Sequence, residues 1–177
     1  SGNITYNGKL HSTDGKVVIG GIIGEYMLNS LDNSTWTGEV VNTGNITCTG
    51  THNGNTYVGG IFGETNKSFA NGKVDCSIYG AGYNNVGMVL GVPRVVEVTG
   101  ADGTVTTPGV IASNVKVGGS LVLGVIGEDA DGNPTLTETE VVLNADNWMN
   151  YIYGSATDWT GTDNYDGCSF LSVVPEV

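Results

Sequence analysis

The chain has 177 residues and 18.3 kDa, and its 39% hydrophobic content is adequate for one core. A net charge of −12, from 6 Lys+Arg against 18 Asp+Glu, excludes the basic stripe that a nucleic-acid binder needs to release counterions. It also opposes anionic membranes and polyuronates such as pectate, unless metal ions intervene. No run of 18 apolar residues is present, so no membrane span is expected.

In chain order, Gly2-Asn3-Ile4-Thr5-Tyr6 alternates polar and apolar residues, the period-2 pattern of a half-buried strand. Residues 7–18 read as a hairpin outgrowth turning at Asp14-Gly15. The segment Ile19-Gly20-Gly21-Ile22-Ile23-Gly24-Glu25 follows, and then a polar excursion over 26–37 whose Trp36 is placed to cover an edge. The pattern then repeats. Gly44-Asn45-Ile46-Thr47-Cys48 leads through the turn Asn53-Gly54 to Val58-Gly59-Gly60-Ile61-Phe62-Gly63-Glu64. Gly72-Lys73-Val74-Asp75-Cys76 leads to Val86-Gly87-Met88-Val89-Leu90-Gly91. The longest insertion, 92–109, carries Val95, Val96 and Val98 into a Gly100–Gly103 turn and Val105 out of it, as a second hairpin arm. Ser113-Asn114-Val115-Lys116-Val117 then leads to Val122-Leu123-Gly124-Val125-Ile126-Gly127-Glu128. A third apolar position, Val41, Phe69 and Val110, stands upstream of the later copies.

The Gly-containing segments begin 39, 28 and 36 residues apart, and self-similarity at such a period marks a repeat architecture. One repeat cannot bury its own apolar face, but stacked repeats can. The expected fold is all-β, a right-handed parallel β-helix (solenoid) of about four irregular coils with hairpin outgrowths and a C-terminal cap. A β-sandwich would not require the same motif four times. The Gly at the sixth motif position predicts a sharp corner with φ above zero. Cys48 and Cys76 occupy matched positions and are expected as small buried hydrophobes in one inward ladder. Cys168 has no zinc partner set in the sequence.

A V-G-G-I-x-G motif preceded by a G-N-I strand resembles the GLUG repeats of bacterial surface proteins. The likeness covers roughly residues 2–128 and weakens where Met88 and Leu123 replace Gly. It implies an adhesin-like or secreted setting, extracellular or on the cell surface, and carries no catalytic set.

Residues 1–128 are expected to hold the repeats and 129–177 the cap. Within the cap, Thr135 to Leu143 reads as a strand and 144–154 as a short helix begun by Asn144 or Asp146 and stopped by Gly154. Trp148, Tyr151, Tyr153, Trp159 and Tyr165 either stack against sugars or plug the open end of the repeats. Trp148, Tyr151, Trp159 and Tyr165 are the ligand-binding candidates. Asp129, Asp131, Asn133 and Glu140 match positions 1, 3, 5 and 12 of a calcium loop, with Pro134 where Gly belongs. Calcium is thus the one cofactor the sequence suggests. Glu25, Glu64 and Glu128 follow their motifs at one corner, as solvated turn residues or as stacked carboxylates around a cation.

His11 and His52 lie in different outgrowths without metal-ligand spacing, and Lys67, Lys73, Arg94 and Lys116 stand in no acidic cluster along the sequence. The expectation is a non-enzymatic module for adhesion, binding a glycan or a surface or matrix protein. A carbohydrate-active lyase or glycosidase of β-helix type, or its inactive relative, is one alternative. A structural spacer is the other.

Overall fold

The computed structural model describes residues 2–7, 15–27, 36–50, 55–94, 98–99, 101–106, 110, 112–154 and 167–171. Its strands are β1 (Ile4–Asn7), β2 (Lys16–Gly20), β3 (Ile23–Tyr26), β4 (Val40–Asn42), β5 (Ile46–Thr49), β6 (Asn55–Gly59), β7 (Phe62–Thr65) and β8 (Phe69–Tyr79). They continue with β9 (Asn85–Gly87), β10 (Leu90–Pro93), β11 (Val98–Thr99), β12 (Val105–Thr106), β13 (Ala112–Glu128), β14 (Pro134–Val142) and β15 (Ser169–Phe170). One 3-10 turn spans Trp148–Tyr151. The protein is all-β, and its three larger sheets are built mainly from parallel pairs.

In the first sheet β1, β5, β8 and β13 lie side by side in parallel, with β4 also on β8 and β15 also on β13. The second sheet is β2-β6-β9 and the third β3-β7-β10, again all parallel. Because these strands pair in parallel and in register, like side chains stack in columns. Ile4, Ile46, Ile78 and Leu121 form one column, Ile19, Val58 and Val86 a second, and Ile23, Phe62 and Leu90 a third. Burial of each such side chain contributes roughly 1.5–3 kcal/mol. The insertion over 92–109 contains the expected hairpin, with Val98 opposite Thr106 and Thr99 opposite Val105. Residues 16–18 belong to the second sheet rather than to an outgrowth.

Only two residues separate the second sheet from the third in each of three passes, from β2 to β3, β6 to β7 and β9 to β10: Gly21-Ile22, Gly60-Ile61 and Met88-Val89. The chain closes there as a tight arch. A Cβ on Gly20, Gly59 or Gly87 would lie 1.8, 1.9 or 2.2 Å from the carbonyl oxygen of Ile23, Phe62 or Leu90. None of the motif glycines has a positive φ. Glycine is therefore required by backbone contact, which corrects the expected left-handed corner. A left-handed corner does exist elsewhere. Asn71 (φ 62°), Asn114 (φ 52°) and Gly167 (φ 67°) each stand two residues ahead of Lys73, Lys116 and Ser169, which pair with one another across β8, β13 and β15. Asn and Gly are the residues that tolerate that conformation.

The arches are joined by a repeated hydrogen-bond pattern. Ile61 O accepts from Ile22 and Ile23 N–H at 3.1 and 3.0 Å, Val89 O from Ile61 and Phe62 at 2.9 and 3.1 Å, and Ile152 O from Val89 and Leu90 at 3.0 and 3.1 Å. The fourth level of the column is thus Tyr151-Ile152-Tyr153-Gly154, and a Cβ on Gly154 would meet Gly91 O just as one on Gly91 would meet Gly63 O. The expected fourth copy, Val122–Gly127, instead runs straight along β13 and returns antiparallel through β14. Leu123 occupies the place of Gly20, Gly59 and Gly87, and its side chain has no room inside an arch.

The cysteine ladder is also corrected. Ile46 pairs with Ile78, so Cys48 lies beside Tyr6 while Cys76 lies beside Gly119. The unbroken strand β8 spans both β4 and β5, which are separated by a bend that Asn42 fills. The buried Asn42 donates to Gly60 O at 2.8 Å and accepts Gly44 N–H at 2.9 Å. Val40 rather than Val41 faces the core there. Both Cys48 and Cys76 are buried and unbridged, as expected of small hydrophobes.

Candidate functional site

The left-handed corner shapes the outward face of the first sheet. The backbone turns at Asn71 and Asn114 on neighbouring strands, so their side chains lie one above the other. Asn71 Nδ2 donates to Thr37 O at 3.1 Å, and Asn114 Nδ2 lies 3.5 Å from Asn71 Oδ1. Two residues on, Lys73 and Lys116 are direct register partners on the same outward face. Thr37 and Glu39, ahead of β4, complete an open hollow of about 560 Å³ lined by Thr37, Glu39, Asn71, Gly72, Lys73, Asn114 and Lys116. Lys73 Nζ lies 3.9 Å from Asp75 Oδ2. Among the described residues no carboxylate lies within 4.0 Å of Lys116. Six of the seven lining residues have polar side chains, and five of the seven sit on β8 and β13, the more rigid support for a binding site.

A second polar cluster lies between the second and third sheets. Glu25 and Glu64 are register partners on β3 and β7. Lys16 Nζ spans them at 3.1 and 2.7 Å, and Arg94 Nε also binds Glu64. Arg94 lies over the Tyr57 ring at 5.6 Å. The side chain of Glu64 is 1% exposed, against 41% for Lys16 and 38% for Arg94. The hydrogen bond to Glu64 raises the Lys16 ammonium above its ordinary value, the Glu25 contact adding to the effect. The cation between stacked carboxylates is therefore a lysine of the chain itself, and Arg94 does sit on an acid. Sequence reasoning missed both because the partners are 48 and 30 residues away. The available signal was parity: Lys16 lies on the strand just ahead of the Glu25 motif, and Arg94 lies two residues past Val92, the register partner of Glu64. Glu128 is at the far end of the β13–β14 arm, opposite Pro134.

The calcium-loop residues divide. Asp129 Oδ1 accepts the N–H groups of Asp131 and Asn133 at 2.9 and 2.8 Å, which closes the arm's turn. The Asn133 N–H is the main cause that holds the Asp129 carboxyl below its ordinary value. Glu140 stands opposite Val122, well down β14, and does not join them. Among the described residues no group of three or more His, Cys, Asp or Glu side chains is placed to hold a metal ion.

Of the aromatic candidates, Trp148 is 9% exposed and belongs to the core, with Tyr151 and Tyr153 packed half-buried against it. Trp159 and Tyr165 lie outside the described residues, as do His11 and His52. The expected short helix is a 3-10 turn, entered through Asn144, whose Oδ1 accepts from Asp146 and Asn147 N–H. Trp36 packs edge-on to Tyr26 at 5.7 Å, covering the side of the stack as expected. Cys168 Sγ accepts from Val115 N–H at 3.4 Å and donates to Ala112 O at 3.3 Å, tying β15 to β13. A smaller hollow of about 260 Å³ lies at the base of the arm, between Ala81–Asn84 and Gly124–Ile126. No helix among the described residues is long and apolar enough to cross a membrane.

No family model, no curated protein and no solved structure matches the chain.

Proposed function

We propose that the protein is a right-handed β-solenoid of the GLUG-repeat kind, working at the cell surface or outside the cell as a non-enzymatic binding module for saccharide. The observation that carries this reading is the hollow of about 560 Å³ on the first sheet. Its amides, hydroxyl, carboxylate and ammonium groups are the donors and acceptors that fix a polyhydroxylated ligand, and strand register sets their spacing. Its volume lies in the range of small-molecule sites. The aromatic region is the weaker candidate, because burial of Trp148 supports a role as a plug.

A glycan-array screen of the purified protein, with and without calcium, tests the proposal. Binding that is lost in Asn114→Ala and kept in Trp148→Phe supports the hollow. Binding lost only in the Trp148 variant moves the site to the aromatic end, and binding to no glycan refutes a saccharide ligand and leaves protein adhesion or the spacer role.

A further inference from the structure

We infer that the hollow selects a saccharide ending in a single carboxylated sugar, with that carboxylate held between Lys73 and Lys116. The inference rests on the reading of the hollow as a saccharide site and adds the charge of its ligand. Neighbouring strands of a sheet lie about 4.8 Å apart, so Lys73 and Lys116, direct register partners that both line the hollow, are placed to bring two ammonium groups to one ligand. Like charges directly opposite one another are destabilising. The sheet offers little relief: Asp75 is 3.9 Å from Lys73, and among the described residues nothing acidic reaches Lys116 within 4.0 Å. A chain with 18 acidic residues and only 6 basic ones has placed two of the six in one pair, and among the described residues only Lys73 has a carboxylate within 4.0 Å. A carboxylate seated between them accepts from both, one oxygen to each ammonium, and turns a repulsive pair into a charge-assisted clamp.

The rest of the lining limits the ligand to one negative charge. Glu39, just ahead of β4, also lines the hollow, where it accepts from a sugar hydroxyl and repels a second carboxylate. The net charge of −12 disfavours a polyanion along the whole surface. Asn71, Asn114 and Thr37 supply neutral donors and acceptors between these ends.

Titration calorimetry with a disaccharide ending in glucuronic acid, its carboxyl-reduced counterpart and an oligouronate tests this at low and high salt. The expected result is at least tenfold tighter binding of the monocarboxylate than of the reduced sugar. That margin should disappear in Lys116→Gln and in Lys73→Gln, and shrink at high salt as screening shortens the reach of the lysines. The oligouronate should bind more weakly than the monocarboxylate and gain in Glu39→Gln. Equal binding of the acid and the reduced sugar overturns the inference and leaves the saccharide site standing. Binding of neither, with the fold intact by circular dichroism, overturns both. A margin that survives in both lysine variants places the carboxylate elsewhere and overturns the inference.

Discussion

Two stretches of the same Gly-and-apolar pattern take opposite courses in this molecule. Val58–Gly63 folds back on itself into an arch whose Ile61 and Phe62 are buried, while Val122–Gly127 lies straight in an arm where Val125 is 72% exposed. The difference lies in one side chain. Gly59 lets the backbone of Phe62 approach to within 1.9 Å of where a Cβ would stand. Leu123 at the matched place forbids it. An apolar pattern marks a segment as strand, but the room at one backbone contact decides whether two strands close on each other or run on as one.

The sharpest way to break this contrast is to remove that room. Gly59→Ala should destabilise the protein by about 3 kcal/mol or more, because the methyl meets backbone that cannot turn aside. In the arm, a Cβ on Gly127 meets only Thr135 Oγ1 at 3.2 Å, and Gly127→Ala should change stability by less than about 0.5 kcal/mol. Thermal unfolding of the two variants reads the difference, and equal losses would refute the steric account.

Next in size is the identity of the fourth level. Ile152 is fully buried under Val89. Ile152→Ala should cost roughly 2–5 kcal/mol, whereas Val125→Ala should be near neutral. Urea denaturation showing the reverse order would return the fourth level to Val122–Gly127.

The ion cluster beside the arches is a smaller lever. Glu64→Gln leaves Lys16 and Arg94 without their shared carboxylate, but both cations are partly exposed and rehydrate. The loss should be about 1–2 kcal/mol, below the roughly 3–5 expected when a wholly buried pair is broken. Unfolding measured at 50 mM and 500 mM salt should narrow the gap between variant and parent.

Alkaline pH separates core from arm in another way. Burial pushes the Cys48 and Cys76 thiols up to about 12, from an ordinary 9.0. The unfolded thiols lose their protons first, so this contribution is full below pH 9 and declines between pH 9 and about 12. A plot of Tm against pH should fall over that interval, and Cys48→Ala should flatten it. The smallest effect is expected from the arm itself: replacing Val125–Thr137 by Asn-Gly keeps the Gly124–Glu138 pair and should shift stability by less than about 1 kcal/mol.

The strand content, the parallel columns of Ile4, Ile46 and Ile19, Val58, and the hairpin over 92–109 were all legible as period-2 alternation and turn residues. The offset of Cys48 from Cys76 was not. Aligning Gly44–Cys48 with Gly72–Cys76 matches like letters, but the bend filled by Asn42 advances the true partner of Ile46 to Ile78. A bend leaves no periodic trace, so sequence alignment alone slides past it. The hollow was likewise hidden. Asn71, Lys73, Asn114 and Lys116 read as ordinary solvated positions, and only pairing between strands 43 residues apart along the chain puts them on one wall. Nor could spacing along the chain show that Lys16 stands between Glu25 and Glu64, since the contact to Glu64 spans 48 residues.

The two-residue arch has a further consequence, for how such a chain can change. It never varies between the second and third sheets, while the other corners are crossed by stretches as unlike as 66–68 and 94–111, or 8–15 and 80–84. Doubling the length of a loop costs only about 0.6 kcal/mol of closure entropy, whereas one added residue inside the arch would slip every side chain of the next strand to its opposite face. Insertional freedom is therefore confined to two of the three corners. New surface can be grafted there, one repeat at a time, while the arches preserve the register that holds the outward columns in line.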